Sequence, residues 1–218
     1  LFLIATVAGL VVDLWSKAAA FRHIADAPVV VRREDVIATQ ALGRLIPPHD
    51  PVVVAPNLLE FTLVLNPGAV FGIGAGKRWF FVVFTVFAVG LATWLFAAKT
   101  MARDRWAHVA FALVVSGGLG NLYDRVTFAC VRDFIHPLPG VRLPFGLTWP
   151  GGSNELWPYV SNVADAFLIV GIVILVAYSW RKPEPQGPLT NPAAPTGRPA
   201  DAADAADAAD AADANAGG

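Results

Sequence analysis

Cysteine is all but missing from this 218-residue chain. Cys130 stands alone, which excludes an internal disulfide and any cysteine-ligated metal cluster within one chain, and leaves Cys130 to be read as packing. Charge is scarce as well. Only 15% of the residues are charged against 56% hydrophobic, and a mean hydropathy of +0.54 is too apolar for an ordinary soluble domain of this size. A polytopic membrane protein is the class that remains. The four histidines, His23, His49, His108 and His136, are scattered, and none opens the His-Glu-x-x-His pattern of a zinc protease. Ser116 lacks the context of a Gly-x-Ser-Gly nucleophile, and no Gly-x-Gly-Asp occurs. No Met opens the chain, which starts inside an apolar run, so a few residues are expected to be missing from its front. That run, Leu1 to Val12, has no basic leader and no small-x-small cleavage site and continues into Asp13 and Lys17. It therefore reads as a membrane helix and not as a cleaved signal peptide.

What is present is long apolar stretches. A helix needs about 20 mostly apolar residues to cross the hydrocarbon core, and four stretches qualify, at about 1–20, 79–98, 107–122 and 160–180. Lys99, Arg103 and Arg105 between the second and third, with Arg181 and Lys182 after the fourth, predict by the positive-inside rule that both termini are cytoplasmic. Lys77 and Arg78 lie on the other side, beside a long translocated loop where charge weighs less. Residues 22–76 and 123–159 are then the outer segments. In the first, "VVVRREDVIA" and "LLEFTLVLN" have the β-branched content of short strands and predict a small extracytoplasmic sheet. The second is rich in Pro, Gly and Trp from about residue 136 and reads as an irregular loop with interfacial aromatics. Residues 1–182 hold fifteen basic against eleven acidic groups. The acidic excess belongs to residues 183–218, whose prolines and Asp-Ala-Ala repeats predict a disordered cytoplasmic tail. The expected fold is thus a mainly α, four-helix membrane bundle with a small sheet and a disordered tail.

The polar residues of the spans all fall at the outer ends of the helices. An ionisable group at the bilayer centre costs about 2.5 to 3.5 kcal/mol on insertion scales and marks a functional site by default. Asp165 sits in "VSNVADAFLIVGIVIL" with no basic residue within a turn or two, so its partner must come from another segment, and the alternation of the spans offers Asp133. Two carboxyls in one partly dry pocket cannot both ionise easily, so one keeps a proton. That is the arrangement of an aspartic protease. Asp124 has Arg125 beside it and Asn121 a turn earlier, and is expected to be satisfied by them in a structural role. Gly117, Gly118 and Gly120 allow close approach of a neighbouring helix or a substrate backbone. Asp13 and Lys17, four apart, are expected to pair on one helix face. Paired intramembrane acids also suit a transporter or channel, but the polar groups gather at one side and form no path across.

The motifs "DLWSK" (13–17), "NPGAVFG" (66–72), "GGLGNLYDR" (117–125), "VRDF" (131–134) and "NVADA" (162–166) occur in one order at the ends of the four spans. In this the chain resembles the lipoprotein signal peptidases, or signal peptidase II, aspartic intramembrane proteases of the bacterial cell membrane. The resemblance covers nearly all of residues 1–182. It implies cleavage of the signal peptide from prolipoproteins just before the diacylglyceryl-modified cysteine, with Asp133 and Asp165 as the catalytic pair. Asn66, Asn121, Arg125 and Asn162 match positions that line the family's site, and Asp13, Lys17, Gly68 and Asp124 match positions that shape it. It also implies no metal or organic cofactor, inhibition by globomycin-type peptides in the same pocket, contact with membrane lipid, no nucleic-acid partner and action as a monomer. Three departures stand out. Leu14 occupies the place of the family's usual Gln, the Asp133 to Asp165 separation is long, and the Asp-Ala-Ala tail belongs to no family motif. The enlarged loop, with Trp149 and Trp157, is expected to form a membrane-resting lid.

Overall fold

The computed structural model describes residues 1–39, 41–68 and 78–181. Among the described residues are five α-helices and three strands: α1 Phe2–His23, α2 Arg33–Ala38, β1 Val52–Ala55, β2 Leu59–Asn66, α3 Arg78–Lys99, α4 Arg105–Thr127, β3 Val131–Pro137 and α5 Val163–Arg181. The expected tail, the end of the "NPGAVFG" motif and Lys77 lie outside the described residues.

The long helices are amphipathic in the reverse of the soluble sense. In α1 the buried positions are Phe2, Thr6, Gly9, Asp13, Lys17, Ala20 and Phe21, a stripe at three- and four-residue spacing. Leu3, Ile4, Val7 and Val11 stand exposed on the opposite side. In α3 the exposed set includes Trp79, Phe80, Phe84 and Phe87, and in α5 Ile169, Val170, Ile172 and Val173. Apolar side chains turned outward and polar ones inward suit a lipid surround.

Four spans are expected; among the described residues three helices are long and apolar enough to cross a membrane: α1, α3 and the Val163–Trp180 part of α5. The stretch expected at 107–122 does not qualify. Its helix, α4, has sufficient length but carries Ser116, Gly117, Gly118, Gly120, Asn121, Asp124 and Arg125, which dilute its hydropathy. The physical reason is position. α4 packs against α1, α3 and α5, and Ala107, Ala110, Ala112 and Ser116 are wholly buried, so most of it meets other helices. Small residues set the spacing: a Cβ on Gly117 would lie 2.5 Å from the Ala164 carbonyl oxygen, and one on Gly171 2.8 Å from that of Ala110.

The sheet has the order β1-β2-β3, antiparallel throughout. "LLEFTLVLN" supplies β2, as its alternation predicts, but "VVVRREDVIA" does not form a strand. Residues 33–38 coil into α2, favoured by Glu34 and Asp35 in its first turn beneath an extended Arg32. The edge strand comes from Val52–Ala55, and the third from "VRDFIHP" immediately after α4, within a segment expected to be irregular beyond residue 136. An apolar core of Phe21, Val36, Leu42, Leu63, Leu65 and Phe134, among others, packs the sheet and α2 on the end of α1. The β2–β3 register slips between Phe61 and Val64, after which Val64 faces Asp133 and Asn66 faces Val131. A bulge of this kind re-aims strand side chains, and here it lies just before Asn66 on β2 and just after Asp133 on β3.

Candidate active site

The local sequence explains why α5 begins where it does. Asn162 Oδ1 accepts the Asp165 N–H at 3.2 Å, and Asp165 Oδ2 accepts the Asn162 N–H at 3.1 Å. This reciprocal capping box satisfies two otherwise orphaned donors and seats the Asp165 carboxyl at the positive end of the helix. Asp165 Oδ1 accepts the Asn121 Nδ2–H from α4 at 2.8 Å.

Asp133 arrives from β3. Its Oδ1 accepts the Asn162 Nδ2–H at 2.6 Å, and its Oδ2 accepts the Asn66 Nδ2–H at 3.0 Å. Asn66 is fixed in turn, because its Oδ1 accepts the Gly68 N–H at 2.8 Å. Gly68 has φ +97°, and a Cβ there would meet the Phe81 ring at 2.6 Å, so both conformation and space require glycine. Asn162 therefore touches both carboxyls, one with its side chain and one with its backbone.

Behind this pair lies a buried charged layer. Lys17 Nζ is 2.8 Å from Asp13 Oδ2, 3.0 Å from Asn121 Oδ1 and 3.8 Å from Asp124 Oδ2, and Asp13, Lys17 and Asp124 are all fully buried. The expected Asp13–Lys17 pair thus forms and reaches further, since Asp13 Oδ1 also accepts the Ala164 N–H of α5 at 2.9 Å. Gly120 leaves the room for this, because a Cβ there would collide with Asp13 Oδ2.

The partner expected for Asp124 is not the one it has. Arg132 takes that place: its Nη2–H donates to Oδ1 at 2.8 Å, its Nε–H to Oδ2 at 3.2 Å and its backbone N–H to Oδ2 at 3.0 Å. Alternation along β3 turns Arg132 to Asp124 and its neighbour Asp133 to the other face. Arg125, one residue on from Asp124 along α4, points elsewhere. It donates to the Asn121 carbonyl at 3.3 Å, lies over the Phe81 ring at 5.5 Å and lines a cavity. Asn121, expected to serve Asp124, instead accepts from Lys17 and from Asn162 and donates to Asp165.

That cavity, about 600 Å³, is lined by the polar Asn66, Arg125 and Asp165 and the apolar Ile135, Trp157 and Ile169, among others. Asp133 is only 1% exposed. Burial, and then the neighbouring charge of Asp165, push its carboxyl up to about 7, against the hydrogen bonds of Asn162 and Asn66 and the charge of Lys17. Burial, with the charge of Asp124 adding, pushes the Cys130 thiol up to about 12, which makes it unreactive packing. Among the described residues no set of three or more His, Cys, Asp and Glu could hold a metal ion.

Sequence reasoning missed Arg132 and the capping box. The Asn-x-x-Asp spacing at 162–165 was a usable signal for the second. The Arg132–Asp124 pair had none, because it depends on a strand that follows α4 directly.

Helices with apolar exteriors around a buried polar centre that carries two linked carboxyls define a polytopic membrane protein with an enclosed carboxylate site. The chain belongs to the signal peptidase II family: the family model described as "Signal peptidase (SPase) II" matches residues 5–181. The lipoprotein signal peptidase of Streptococcus pyogenes serotype M5 (strain Manfredo) is 33% identical over 147 residues, which span 67% of this chain and 82% of that protein. A lipoprotein signal peptidase of serotype M2 (strain MGAS10270) is 32% identical over the same shares. A solved bacterial membrane enzyme shares the fold with a TM-score of 0.58 at 24% identity, over 85% of this chain and 93% of the other. The family and the apolar helices make this a bacterial membrane protein of a peptidase family, and the transporter or channel reading finds no support.

Proposed function

We propose that the chain is an aspartic endopeptidase that removes the signal peptide from diacylglyceryl-modified prolipoproteins, cutting before the lipidated cysteine, with Asp133 and Asp165 as its catalytic pair. The observation that carries the reading is Asn162, which lines the cavity beside Asp165 and bonds both its carboxyl and that of buried Asp133. Charge supports it. The cluster contains four acids, Asp13, Asp124, Asp133 and Asp165, and three bases, Lys17, Arg125 and Arg132, so a single shared proton makes it neutral. Asp133, raised by burial and by Asp165, is the resting place of that proton.

In the reaction Asp165, which lines the cavity, takes a proton from water as the water oxygen attacks the scissile carbonyl. The proton from Asp133 passes to the carbonyl oxygen and gives a tetrahedral diol. Collapse breaks the C–N bond. The Asp165 proton goes to the leaving nitrogen and a diol proton returns to Asp133, so the pair ends as it began. Asn66, Asn121 and Asn162 hold the carboxyls, Arg125 meets the substrate backbone, and Asp13, Lys17, Gly68 and Asp124 keep the site's shape. No cofactor takes part, and globomycin-type peptides compete for the cavity.

We place α4 across the membrane as a fourth span, central to the other three, with both termini cytoplasmic and the site near the outer interface, where the apolar lining of the cavity receives the lipidated substrate. The chain acts as a monomer. A gel-shift assay with a diacylated prolipoprotein tests the reading: cleavage by the wild type, blocked by globomycin, and none by Asp165→Asn protein that still inserts. Normal turnover by Asp165→Asn would sink the assignment.

A further inference from the structure

The loop between β3 and α5 is closed mainly on itself. The Leu143 N–H donates to Asn154 O at 2.7 Å, the Leu156 N–H to Val141 O at 2.6 Å and the Trp149 Nε1–H to Glu155 O at 2.8 Å. Arg142 and Glu155 pair as an isolated bridge. Backbone bonds tie it to the sheet at its two ends, from the Leu138 N–H to Leu58 O at 2.9 Å and between Ile135 and Ser161 at 2.8 Å. Between those ends lies Trp157, which forms part of the cavity wall.

His136 reaches into this span. It stands opposite Glu60 in the β2–β3 ladder, with Nδ1 2.8 Å from Glu60 Oε1. On its other side Nε2 is 3.3 Å from Trp157 O and 3.7 Å from Glu155 Oε2. All three neighbours are oxygen acceptors, so a hydrogen on either ring nitrogen finds a partner. Glu155 carries the grip into the loop, since its Oε1 accepts the Gly140 N–H at 3.3 Å and its carbonyl holds Trp149. The β2–β3 backbone ladder holds the sheet without help from these side chains.

We propose that His136 is a positioning residue that clasps this loop to the sheet between Glu60 and Glu155, and so sets where Trp157 stands in the wall of the substrate cavity. The proposal rests on the reading of that cavity as the peptidase site. Loosening the clasp leaves Asp133, Asp165 and their asparagines in place but unfixes one wall, so it acts on substrate binding and not on the chemical step.

The test uses the full chain in detergent micelles, with a spin label on Leu147→Cys. Leu147 is exposed, and the buried, unreactive Cys130 does not compete for the label. His136→Ala is expected to free the label and to raise KM for a diacylated prolipoprotein roughly fivefold, the worth of about one net hydrogen bond, with little change in kcat. His136→Gln, which keeps one donor, is expected to recover part of both effects. Glu155→Gln is expected to act in the same direction, and to add little to His136→Ala. Unchanged label mobility in His136→Ala overturns the clasp. A freed label with an unchanged KM, or a loss confined to kcat, overturns its bearing on the substrate. A wild type that fails to cleave sinks the peptidase reading by itself, while a label freed by His136→Ala upholds the clasp.

Discussion

Replacing Asp133 by Asn is expected to abolish cleavage and yet to make the protein more stable at neutral and alkaline pH. The folded chain holds the Asp133 carboxyl up to about 7, through burial first and the charge of Asp165 second, whereas an unfolded chain releases that proton near pH 4. Between these values the folded state binds the extra proton. Stability from this group is therefore fully present below about pH 4, falls as pH rises, and is lost above about pH 7. Three units correspond to at most about 4 kcal/mol.

An Asn at 133 has no proton to lose and is free of that penalty, but it brings another. Asp133 accepts from Asn162 on Oδ1 and from Asn66 on Oδ2, and Asn offers one acceptor oxygen and one NH2 group to those two donors. One donor is left facing a donor, at a cost of about 1 to 3 kcal/mol. The variant should thus be less stable than wild type by about 1 to 3 kcal/mol near pH 4, and more stable by a similar amount above about pH 7, where the relieved penalty exceeds that cost. Unfolding followed by tryptophan fluorescence in detergent from about pH 4 to 8 gives both curves. Parallel curves without a crossing would show that Asp133 does not titrate in this window, and would remove the shared proton from the mechanism.

The same layer of charge yields a second test. Arg132→Met leaves buried Asp124 with Lys17 at 3.8 Å as its remaining ion-pair partner and is expected to cost about 3 to 5 kcal/mol, whereas Asp124→Asn/Arg132→Gln recovers much of it. A loss in the double variant equal to the sum of the Asp124→Asn and Arg132→Gln losses, measured by unfolding, would show that the pair is not coupled. A third concerns the exit from α4, where Ala129 has φ +64° directly after the C-cap Phe128. Glycine adopts that conformation without strain, so Ala129→Gly should raise stability by up to about 1 kcal/mol, and a loss would mean that packing of the Ala129 methyl outweighs it.

Much of this architecture was legible because lipid imposes a simple rule on sequence. The runs that became α1, α3 and α5 are apolar since their outer faces have nothing else to meet, and an aspartate such as Asp165 inside such a run demands a partner from elsewhere. The spacing also brought Asp13 and Lys17 together on one helix face. Less legible were contacts that depend on elements far apart in the chain or on an unforeseen strand. Asp124 beside Arg125 looks self-sufficient in sequence, but on α4 adjacent residues project in different directions, and β3 delivers Arg132 to the face where Asp124 lies. In "VVVRREDVIA" the β-branched residues outvoted Glu34 and Asp35, whose place in a first helical turn is the signal that prevailed.

The lower hydropathy of α4 follows from the same physics that made the other helices easy to find. Hydropathy reports the medium a helix faces, and α4 faces three other helices. At its packed centre bulky apolar side chains would force those helices apart: Gly117 lies against the Ala164 carbonyl and Gly120 against the Asp13 carboxyl, and Ala164 in turn donates its N–H to Asp13. Asn121 occupies the next position because Lys17, Asn162 and Asp165 converge there and need one group that both accepts and donates. A helix that must admit its neighbours closely and carry polar groups into their midst cannot also be the most apolar one. The deficit that removes α4 from the list of apolar spans is therefore a consequence of its holding the site, and the proposed fourth crossing needs no higher hydropathy so long as α1, α3 and α5 shield it from lipid.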